Sequence, residues 1–569
     1  MLSFVGKKKA GLCLAVSAFA LAVAMAPPVH AAAKSEKTTL EALQKQIMAL
    51  QAEIQTMKQE QAKAAVAKVT APAPAAVSSF ATASSAAPAP QSASVPMAAV
   101  LSAAPAAATP SPVAAAAPAP AGGLQSAIMS KTGVKLTLGG QVDMTTLYRS
   151  KNQSSDIASN FNSLIPFNNS VNSHQSEFRG SARATRLSLL GEASPDENTK
   201  LTAYIESDFL GAAPTATSTV TNSYTPRLRQ GFAQYERNDL GLHVSGGQEW
   251  TLLTMHKSGM LPLKENAPGT VDAGYLPGFN YARTPQLRIV KDFMDKKLWV
   301  GVSAESPQAI TSGICTSSTS SSTLNCAGYN NAYLLNNPGN GSTYASTNSY
   351  TTDIAPDAIM KVAYDASWGH VETFGALRTF HNVDDARFND NVVFAGGGGA
   401  SVFVPAIEKK LDVMASFMYG YGMGRYTVSA FPDFSVQPDG SLQPLEEYTA
   451  LVGLIAKPTP SWDLFLYAGV EEAFRNNIDG QTSNAFGYGN RGVSNTGCYT
   501  EGGTCYAQTK RVWQVTPGFW TRLYDGSYGK VQVGAQYSLT RRDAFSDVSG
   551  NAPHSYQHMV LTSFRYHPF

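Results

Sequence analysis

Apolar and polar residues alternate one by one along most of the chain. The run VKLTLGGQVDMTTLY places Leu138 and Met144 on one side of an extended strand, and Gln141 and Asp143 on the other. The run LTAYIESDF at residues 201–209 repeats the pattern. Roughly sixteen such runs of about ten residues follow one another, which is typical of an antiparallel sheet with one apolar and one polar face.

The segments between these runs alternate between short and long. The short segments carry turn residues and lie at residues 194–198, 236–241, 292–297, 365–370, 407–410, 457–461 and 524–529. The long segments are mostly polar and lie at residues 150–180, 210–225, 252–284, 306–356, 380–390, 422–445, 476–509 and 542–554. Seven turns and eight loops are the connections that sixteen antiparallel strands need when all turns lie at one end of the sheet.

Alternation alone also fits a soluble β-sandwich, but further features favour a membrane barrel. Connection lengths need not alternate in a sandwich, and charged residues make up only 15% of this chain. Unpaired backbone groups at an open sheet edge cost several kcal/mol each in lipid, so the sheet must close. We therefore predict an all-β transmembrane barrel of about 16 antiparallel strands around an aqueous lumen. This barrel occupies residues 133–569.

The residues before the barrel predict an export signal and a helix. Residues 1–31 combine a basic start, an apolar core and the ending VHA, which is typical of a cleaved signal peptide; a retained membrane anchor is the alternative. Residues 38–63 have apolar residues at alternating steps of three and four, which predicts a short coiled-coil helix. These residues are Leu40, Leu43, Ile47, Leu50, Ile54 and Met57. A lone helix packed on a globular domain is the alternative here.

The next segment, residues 64–130, consists largely of Ala, Pro, Ser and Val. This composition cannot build a packed core and favours an extended chain. At ~3.1 Å per residue, sixty residues of such a chain reach on the order of 150 Å. We interpret the segment as a linker between the helix and the barrel.

Four cysteines lie beyond the signal peptide, in two short-range pairs. Cys315 and Cys326 fall in GICTSSTSSSTLNCAG, and Cys498 and Cys505 fall in TGCYTEGGTC. An even number of cysteines in an exported chain, paired locally in polar stretches, predicts two disulfides. A metal site is the weaker alternative, because no C-x-x-C motif is present and no His lies at a ligand spacing.

The polar faces of the strands supply candidate pore-lining residues. Lys135, Asp143 and Glu249 alternate with apolar neighbours and are expected to face inward. The candidates for selectivity are Arg186, Arg227, Arg229, Arg288, Arg378, Arg522, Glu206 and Asp208. Guanidinium groups stay charged and hold carboxylates in a fork geometry, so a ladder of arginines favours anionic solutes. Each arginine alternatively braces the wall through ion pairs.

The third long loop, residues 252–284, differs from the Ser- and Asn-rich loops. It holds apolar residues such as Leu276 and Phe279 beside His256, Lys257 and Lys264. A loop with its own small apolar core is able to fold inward and narrow a pore. We therefore take these three basic residues as candidates for a constriction.

The order of signal peptide, heptad helix, Ala/Pro linker and barrel resembles that of trimeric bacterial outer-membrane porins, and more closely of the DcaP-like porins. Local runs that carry the resemblance are LGGQVDMTTLY, RLSLLGEA, LTAYIESDFLG, RLRQGFAQYE, VSGGQEWTLLT and SFRYHPF. The resemblance implies a homotrimer, passive diffusion, a constricting third loop, and a preference for small anionic solutes such as dicarboxylates. It also implies that Phe569 is read by the barrel assembly machinery, although Arg565 and His567 replace the aromatic residues usual at alternate positions.

The expected function is therefore an outer-membrane porin. It forms a water-filled channel for passive diffusion of small hydrophilic solutes, with the N-terminal segment in the periplasm and outer-membrane lipid around the barrel. The alternative is an envelope tether or adhesin-type barrel that links the outer membrane to the cell wall. A planar-bilayer current separates the two functions.

Other function classes find little support in the sequence. No G-x-S-x-G, H-E-x-x-H or phosphate-binding loop is present, so we expect no enzyme, catalytic residue, cofactor or metal. The formal net charge is only +2, and no basic patch with interleaved aromatics occurs, so nucleic acid is not an expected partner.

Overall fold

The computed structural model of the protein describes residues 128–129, 133–155, 162–211, 225–312, 335–336, 350–384, 389–438, 440–476 and 486–568. The predicted signal peptide, the coiled-coil helix and nearly all of the linker lie outside these residues. Cys315, Cys326 and Phe569 also lie outside them. In the described part of the chain, no helix is long and apolar enough to cross a membrane.

Sixteen strands form one closed antiparallel barrel, as the sequence predicted. The first eight are β1 (Lys135–Arg149), β2 (Glu177–Ser181 and Arg186–Ala193), β3 (Thr199–Asp208), β4 (Arg227–Arg237), β5 (Leu242–Trp250), β6 (Arg283–Phe293), β7 (Leu298–Glu305) and β8 (Asp357–Ala366). The last eight are β9 (Gly369–Asp384), β10 (Asn389–Ile407), β11 (Leu411–Tyr421), β12 (Glu446–Thr459), β13 (Trp462–Ala473), β14 (Thr509–Gly526), β15 (Gly529–Ala544) and β16 (His554–His567).

Small elements decorate the loops and the start of the barrel. The short strands are Ile128–Met129, which pairs with the start of β1, and Thr311–Ser312, Leu335–Asn336, Tyr350–Thr351, Phe434–Val436 and Leu442–Pro444 in the loops. The 3₁₀ turns are Asn162–Leu164, Val171–His174, Ala273–Tyr275, Gly424–Tyr426 and Thr496–Tyr499.

Strands β1 and β16 close the barrel. Their register runs from Val142 opposite Tyr566 to Arg149 opposite Met559. On its other edge, β1 pairs with both parts of β2, with Lys135 opposite Glu192 and Arg149 opposite Glu177. The C-terminal strand therefore has both of its edges paired, against β15 and β1, and leaves no open edge for aggregation.

One predicted loop is wrong. The segment 380–390 was expected to be a long loop, but β9 and β10 stay paired up to Asp384 opposite Asn389. The polar run FNDN is typical of a turn, yet the alternation continues beyond it. On β10, the side chains of Val392 and Phe394 are 40% and 60% exposed on the outer face. This hairpin therefore extends the sheet and is connected by residues 385–388.

The two faces of the wall have the predicted chemistry. On β1, Val142 and Met144 are exposed on the outer face, while Gln141 and Asp143 are buried on the inner face. An outer face of exposed Leu, Ile, Val, Phe and Tyr side chains suits a hydrocarbon surrounding, whereas water would penalise it. The sheet is thus built to separate an apolar outside from a polar inside.

The loop between β5 and β6, residues 251–282, folds into the barrel; we call it L3. Its apolar residues form two clusters with the inner wall. The first cluster joins Met255, Tyr275, Leu276 and Phe279 to wall residues Met414, Leu451, Phe465, Trp520 and Leu561. The second joins Leu252, Leu253 and Met260 to Trp299, Ile359, Phe374 and Met418. L3 therefore divides the lumen, and the second cluster fills the space beside β6–β9 and β11.

Candidate functional site

The first half of L3 is fastened to the wall by carboxylates. Glu305 on β7 accepts the backbone N–H of Leu252 at 2.9 Å and the hydroxyl of Thr251 at 3.0 Å. Asp365 on β8 accepts the backbone N–H of Gly259 at 2.9 Å. Backbone groups that leave a strand need new partners, and these inward-facing acids supply them. This half of L3 consequently covers the inner face of the strands to which it bonds.

A buried charged cluster lies beneath L3. Lys361 donates to Glu372 at 2.9 Å and to the carbonyl oxygen of Thr254 at 2.8 Å, and its Nζ is 3.4 Å from Nδ1 of His256. Burial and the nearby Lys361 ammonium lower the pKa of His256 to about 4, so its ring is neutral at pH 7. In the same loop, burial raises the pKa of Glu265 to about 7. The cluster holds L3 and does not face water.

The second half of L3 crosses the lumen to β12–β16. Gly278 donates its backbone N–H to Glu471 on β13 at 2.8 Å. It has φ +93°, and a Cβ there would lie 2.2 Å from the carbonyl oxygen of Ala450, so glycine permits the close approach. Earlier in the loop, the carbonyl oxygen of Gly269 accepts from Trp520 Nε1 at 2.8 Å. L3 is therefore attached at opposite sides of the barrel.

A cavity of about 510 Å³ remains between L3 and the inner faces of β13–β16 and β1–β6. Seven basic side chains line it: Arg186, Arg227, Arg229, Arg283, Arg522, Lys530 and Arg565. The acidic side chains in the lining are Asp272 of L3 and Asp463 of β13. Burial raises the pKa of Asp272, which weakens its negative charge. Basic side chains therefore outnumber acidic ones in the lining of this cavity, which we call the basic cavity.

Two acidic residues form ion pairs with the arginines of β2 and β4. Asp208 pairs with Arg227 and with Arg229, in both cases at 2.8 Å. Glu206 pairs with Arg229 at 3.2 Å and lies 3.7 Å from Arg186. Because these carboxylates belong to the neighbouring strand β3, they hold the arginines in place and neutralise part of their charge.

Arg283 differs from the other arginines of the cavity. Arg565 pairs with Asp143, and Arg522 pairs with Asp463. Arg283 has no carboxylate partner among the described residues; its guanidinium lies over the ring of Trp250, with 5.0 Å between Cζ and the ring centre. The seven cations face five carboxylates, the four partners and Asp272, which leaves a net charge of +2. The cavity therefore carries an excess of positive charge.

The candidate residues separate into two groups. Arg186, Arg227, Arg229 and Arg522 line the cavity, and Glu206 and Asp208 are their partners. The other two arginines, Arg288 and Arg378, point inward but are only 1% exposed. Arg288 donates to Gln286 and to the carbonyl oxygen of Trp250, while Arg378 pairs with Asp357 at 3.1 Å and Asp433 at 2.5 Å. These two brace the wall under the loops and do not line the open lumen.

The expected constriction residues also lie apart from the cavity. His256 is fully buried beneath L3 and does not line it. Lys257 and Lys264 are exposed, and Lys257 lines a second cavity of about 970 Å³ beside the short turns. His256 therefore does not narrow the open lumen, because L3 turns it toward Glu372 and the wall.

Sequence reasoning missed Arg283, Lys530, Arg565 and Asp272. Arg283 is the first residue of β6 and is out of step with the buried inner positions Thr284, Gln286 and Arg288. The alternation of inner and outer residues along β6 therefore could not identify Arg283 as a residue that lines the cavity. Arg565 does follow the inner phase of β16, two residues after buried Ser563, and that phase is the signal that would have identified it.

The described loops contain one of the expected disulfides. The sulfur atoms of Cys498 and Cys505 are 2.03 Å apart, and Cys498 packs with Phe167 and Ala544. Within the described ranges, no group of three or more His, Cys, Asp or Glu residues is arranged to hold a metal ion.

Comparisons with known proteins identify the fold. No protein-family model matches the chain, and no curated protein matches it either. The outer membrane channel DcaP of Acinetobacter baumannii superimposes with a TM-score of 0.52 at 17% identity, covering 77% of this chain and 99% of that chain. OmpF of Salmonella typhi, at 10% identity and a TM-score of 0.42, covers 77% of this chain and 99% of its own. The barrel of this protein therefore has the fold of the DcaP outer membrane channel.

Proposed function

We propose that the protein is an outer-membrane porin through which small hydrophilic solutes diffuse passively, with a preference for anions such as dicarboxylates. The observation that carries the proposal is the basic cavity inside a closed barrel whose outer face is apolar. A strand-built wall with this polarity is stable in lipid only when it is closed and encloses its polar groups. The cavity then provides a polar path for solutes through the interior of the barrel.

The arrangement of charges favours anions at two levels. The net charge of +2 raises the local concentration of anions, an effect that salt screens with a Debye length of about 10 Å at 0.1 M. The forked N–H groups of Arg283 and Arg186 also offer paired donors to a carboxylate, whereas Arg227 already uses its fork on Asp208. A solute with two carboxylates is able to engage one arginine while the other end moves to the next. This stepwise exchange supports diffusion without tight binding.

The remaining parts of the proposal concern assembly and location. The barrel sits in the bacterial outer membrane as a homotrimer, and the N-terminal helix and linker extend into the periplasm. The membrane location is supported by the outer face, where Val142, Ile205 and Leu287 are more than half exposed. Transport requires no chemical step, so we propose no enzymatic activity.

A planar-bilayer recording of the purified, refolded barrel tests the function. We expect stepwise ohmic currents in potassium chloride and a reduction of current when a dicarboxylate is added to one side. The matched solute is a diamine of the same length, which should leave the current unchanged. Absence of any current from protein whose β-sheet content is intact would reject the porin function. If the dicarboxylate and the diamine reduced the current equally, the porin function would stand but the proposed preference for dicarboxylates would be rejected.

A further inference from the structure

Among the described residues, two cavities of the lumen meet at one place. The basic cavity of about 510 Å³ and the cavity of about 970 Å³ beside the short turns share Ala267, Gly269, Asp463, Trp520 and Arg522 in their linings. The two cavities therefore adjoin each other at these residues. L3 and β14 are in contact at this place, through Gly269 and Trp520.

The part of L3 at this place, residues 267–271, is held by four hydrogen bonds; we call it the crossbar. Both polar groups of Gly269 are bonded: its N–H donates to the Tyr467 hydroxyl at 2.9 Å, and its carbonyl oxygen accepts from Trp520 Nε1 at 2.8 Å. Val271 is bonded in the same way, because its N–H donates to Gln536 at 2.6 Å and its carbonyl oxygen accepts from Arg565 at 2.7 Å.

The partners of the crossbar are themselves fixed. Trp520 lies over Gly534 on β15, where a Cβ would come within 2.5 Å of the indole ring, so only glycine leaves room for it. Arg565 also lies over the ring, with Cζ 4.4 Å from the ring centre, within the range of a cation–π contact. Tyr467 is completely buried in the first apolar cluster. The crossbar is thus attached to rigid strands and not to other loops.

We propose that Trp520 is a specificity-determining residue of the channel, which fixes the crossbar across the lumen and sets the largest solute that passes between the two cavities. This inference rests on the proposed porin function. The size limit follows from two properties of Trp520: its ring occupies the junction of the cavities, and its N–H prevents Gly269 from moving. Ion preference does not depend on this residue, because the indole carries no charge.

Three variants separate these two properties. Trp520→Phe keeps a ring but removes the donor to Gly269, and Tyr467→Phe removes only the acceptor of the Gly269 N–H. Trp520→Ala removes both the donor and the ring, and so joins the cavities. The matched control is Trp462→Phe on β13, whose side chain is 39% exposed on the outer face and has no contact with the crossbar.

The measurements are single-channel conductance and the influx of neutral sugars of increasing size into vesicles. We expect Trp520→Ala to raise conductance about twofold and to admit larger sugars, since pore diameter sets both quantities. Trp520→Phe and Tyr467→Phe should give smaller increases, and Trp462→Phe none. The anion-to-cation permeability ratio should stay unchanged in all four variants.

The outcomes distinguish this inference from the proposed function. If the wild-type barrel conducts but the size limit of Trp520→Ala equals that of wild type, the role of Trp520 is rejected while the porin function stands. An equal increase in the Trp462→Phe control would also reject it, because a general loosening of the barrel would then explain the result. Tyr467→Phe keeps every ring in place, so it tests the crossbar even if Trp520→Ala fails to fold.

Discussion

Arg283 lies over the ring of Trp250, with 5.0 Å between its Cζ and the ring centre, and no described carboxylate pairs with it. The other arginines of the basic cavity have acidic partners on neighbouring strands. Arg283 therefore contributes a charge that nothing nearby cancels. Its removal should change the selectivity of the pore more cleanly than removal of any paired arginine.

We expect Arg283→Gln to lower the anion-to-cation permeability ratio by about twofold to fivefold, which corresponds to about 0.4–1 kcal/mol for one charge in a hydrated pore. The measurement is the reversal potential in a salt gradient. Arg237→Gln is the matched control, because Arg237 is neutralised by Asp239 at 2.7 Å and lies at a short turn. A ratio that stays the same in Arg283→Gln would exclude this residue from selectivity.

Arg227 and Arg229 behave differently because they share Asp208 and Glu206. Replacement of both arginines by Gln leaves Asp208 without a cation and Glu206 with only Arg186 at 3.7 Å, so the pore should shift toward cations by more than Arg283→Gln shifts it. The addition of Asp208→Asn and Glu206→Gln should restore most of the anion preference. Reversal potentials of the double and quadruple variants provide the comparison. If the quadruple variant were no more anion-selective than the double variant, the ion pairs would not govern selectivity here.

Glu265 predicts a pH-dependent stability of L3. Burial raises its pKa to about 7, so the folded protein prefers the protonated carboxyl. In the unfolded chain, the Glu265 carboxyl ionises near pH 4.5. Its burial therefore costs folding free energy only above that pH, and this cost grows until about pH 7. Glu265→Gln should therefore raise the free energy of unfolding by on the order of 1–3 kcal/mol at pH 8 and have little effect at pH 4.

Thermal unfolding of wild type and Glu265→Gln at several pH values checks this prediction. The difference between the two proteins is the informative quantity, because other groups titrate equally in both. The same difference at pH 4 and pH 8 would contradict the burial of the ionisable group.

Glu471 ties two loops to the wall at once. It accepts the backbone N–H groups of Gly278 at 2.8 Å, Val428 at 3.0 Å and Ser429 at 2.7 Å. Glu471→Gln replaces one acceptor oxygen with a donor that faces these N–H groups, so we expect a loss of about 2–4 kcal/mol of stability and noisier single-channel currents. Glu472→Gln is the matched control, because Glu472 is adjacent but bonds Tyr448 on the outer face. Equal effects of the two variants would show that the loops do not depend on Glu471.

The strands were predictable from the sequence because membrane barrels impose a strict period of two. Val142 and Asp143 show it in adjacent positions, since one is 57% exposed on the outer face and the other is fully buried inside. The hairpin at residues 380–390 was not predictable, because turn-forming residues also occur where a strand extends beyond the rim. At this hairpin the composition predicts a loop, whereas the alternation predicts a continued strand. Only the observed pairing of β9 with β10 shows which prediction is right.

The basic cavity was only partly predictable. Arg227 and Arg229 share the inner face by their spacing, and they do line the cavity. The path of L3 depends instead on distant contacts, such as that between Gly278 and Glu471, which are 193 residues apart. Other long-range contacts cover Arg378, which donates to Gln308 and Asp433 of two further loops, while Arg283 lines the cavity. Spacing along one strand contains no information about which inward side chain a loop will cover.

The reversal potential of the wild-type barrel across a tenfold gradient of potassium chloride tests the central claim most directly. The net charge of +2 in the cavity predicts a potential whose sign reports chloride as the more permeant ion. The magnitude of this reversal potential should fall as the mean salt concentration rises, because salt screens the fixed charges. A potential of the opposite sign, which reports potassium as the more permeant ion, would contradict an anion-selective porin.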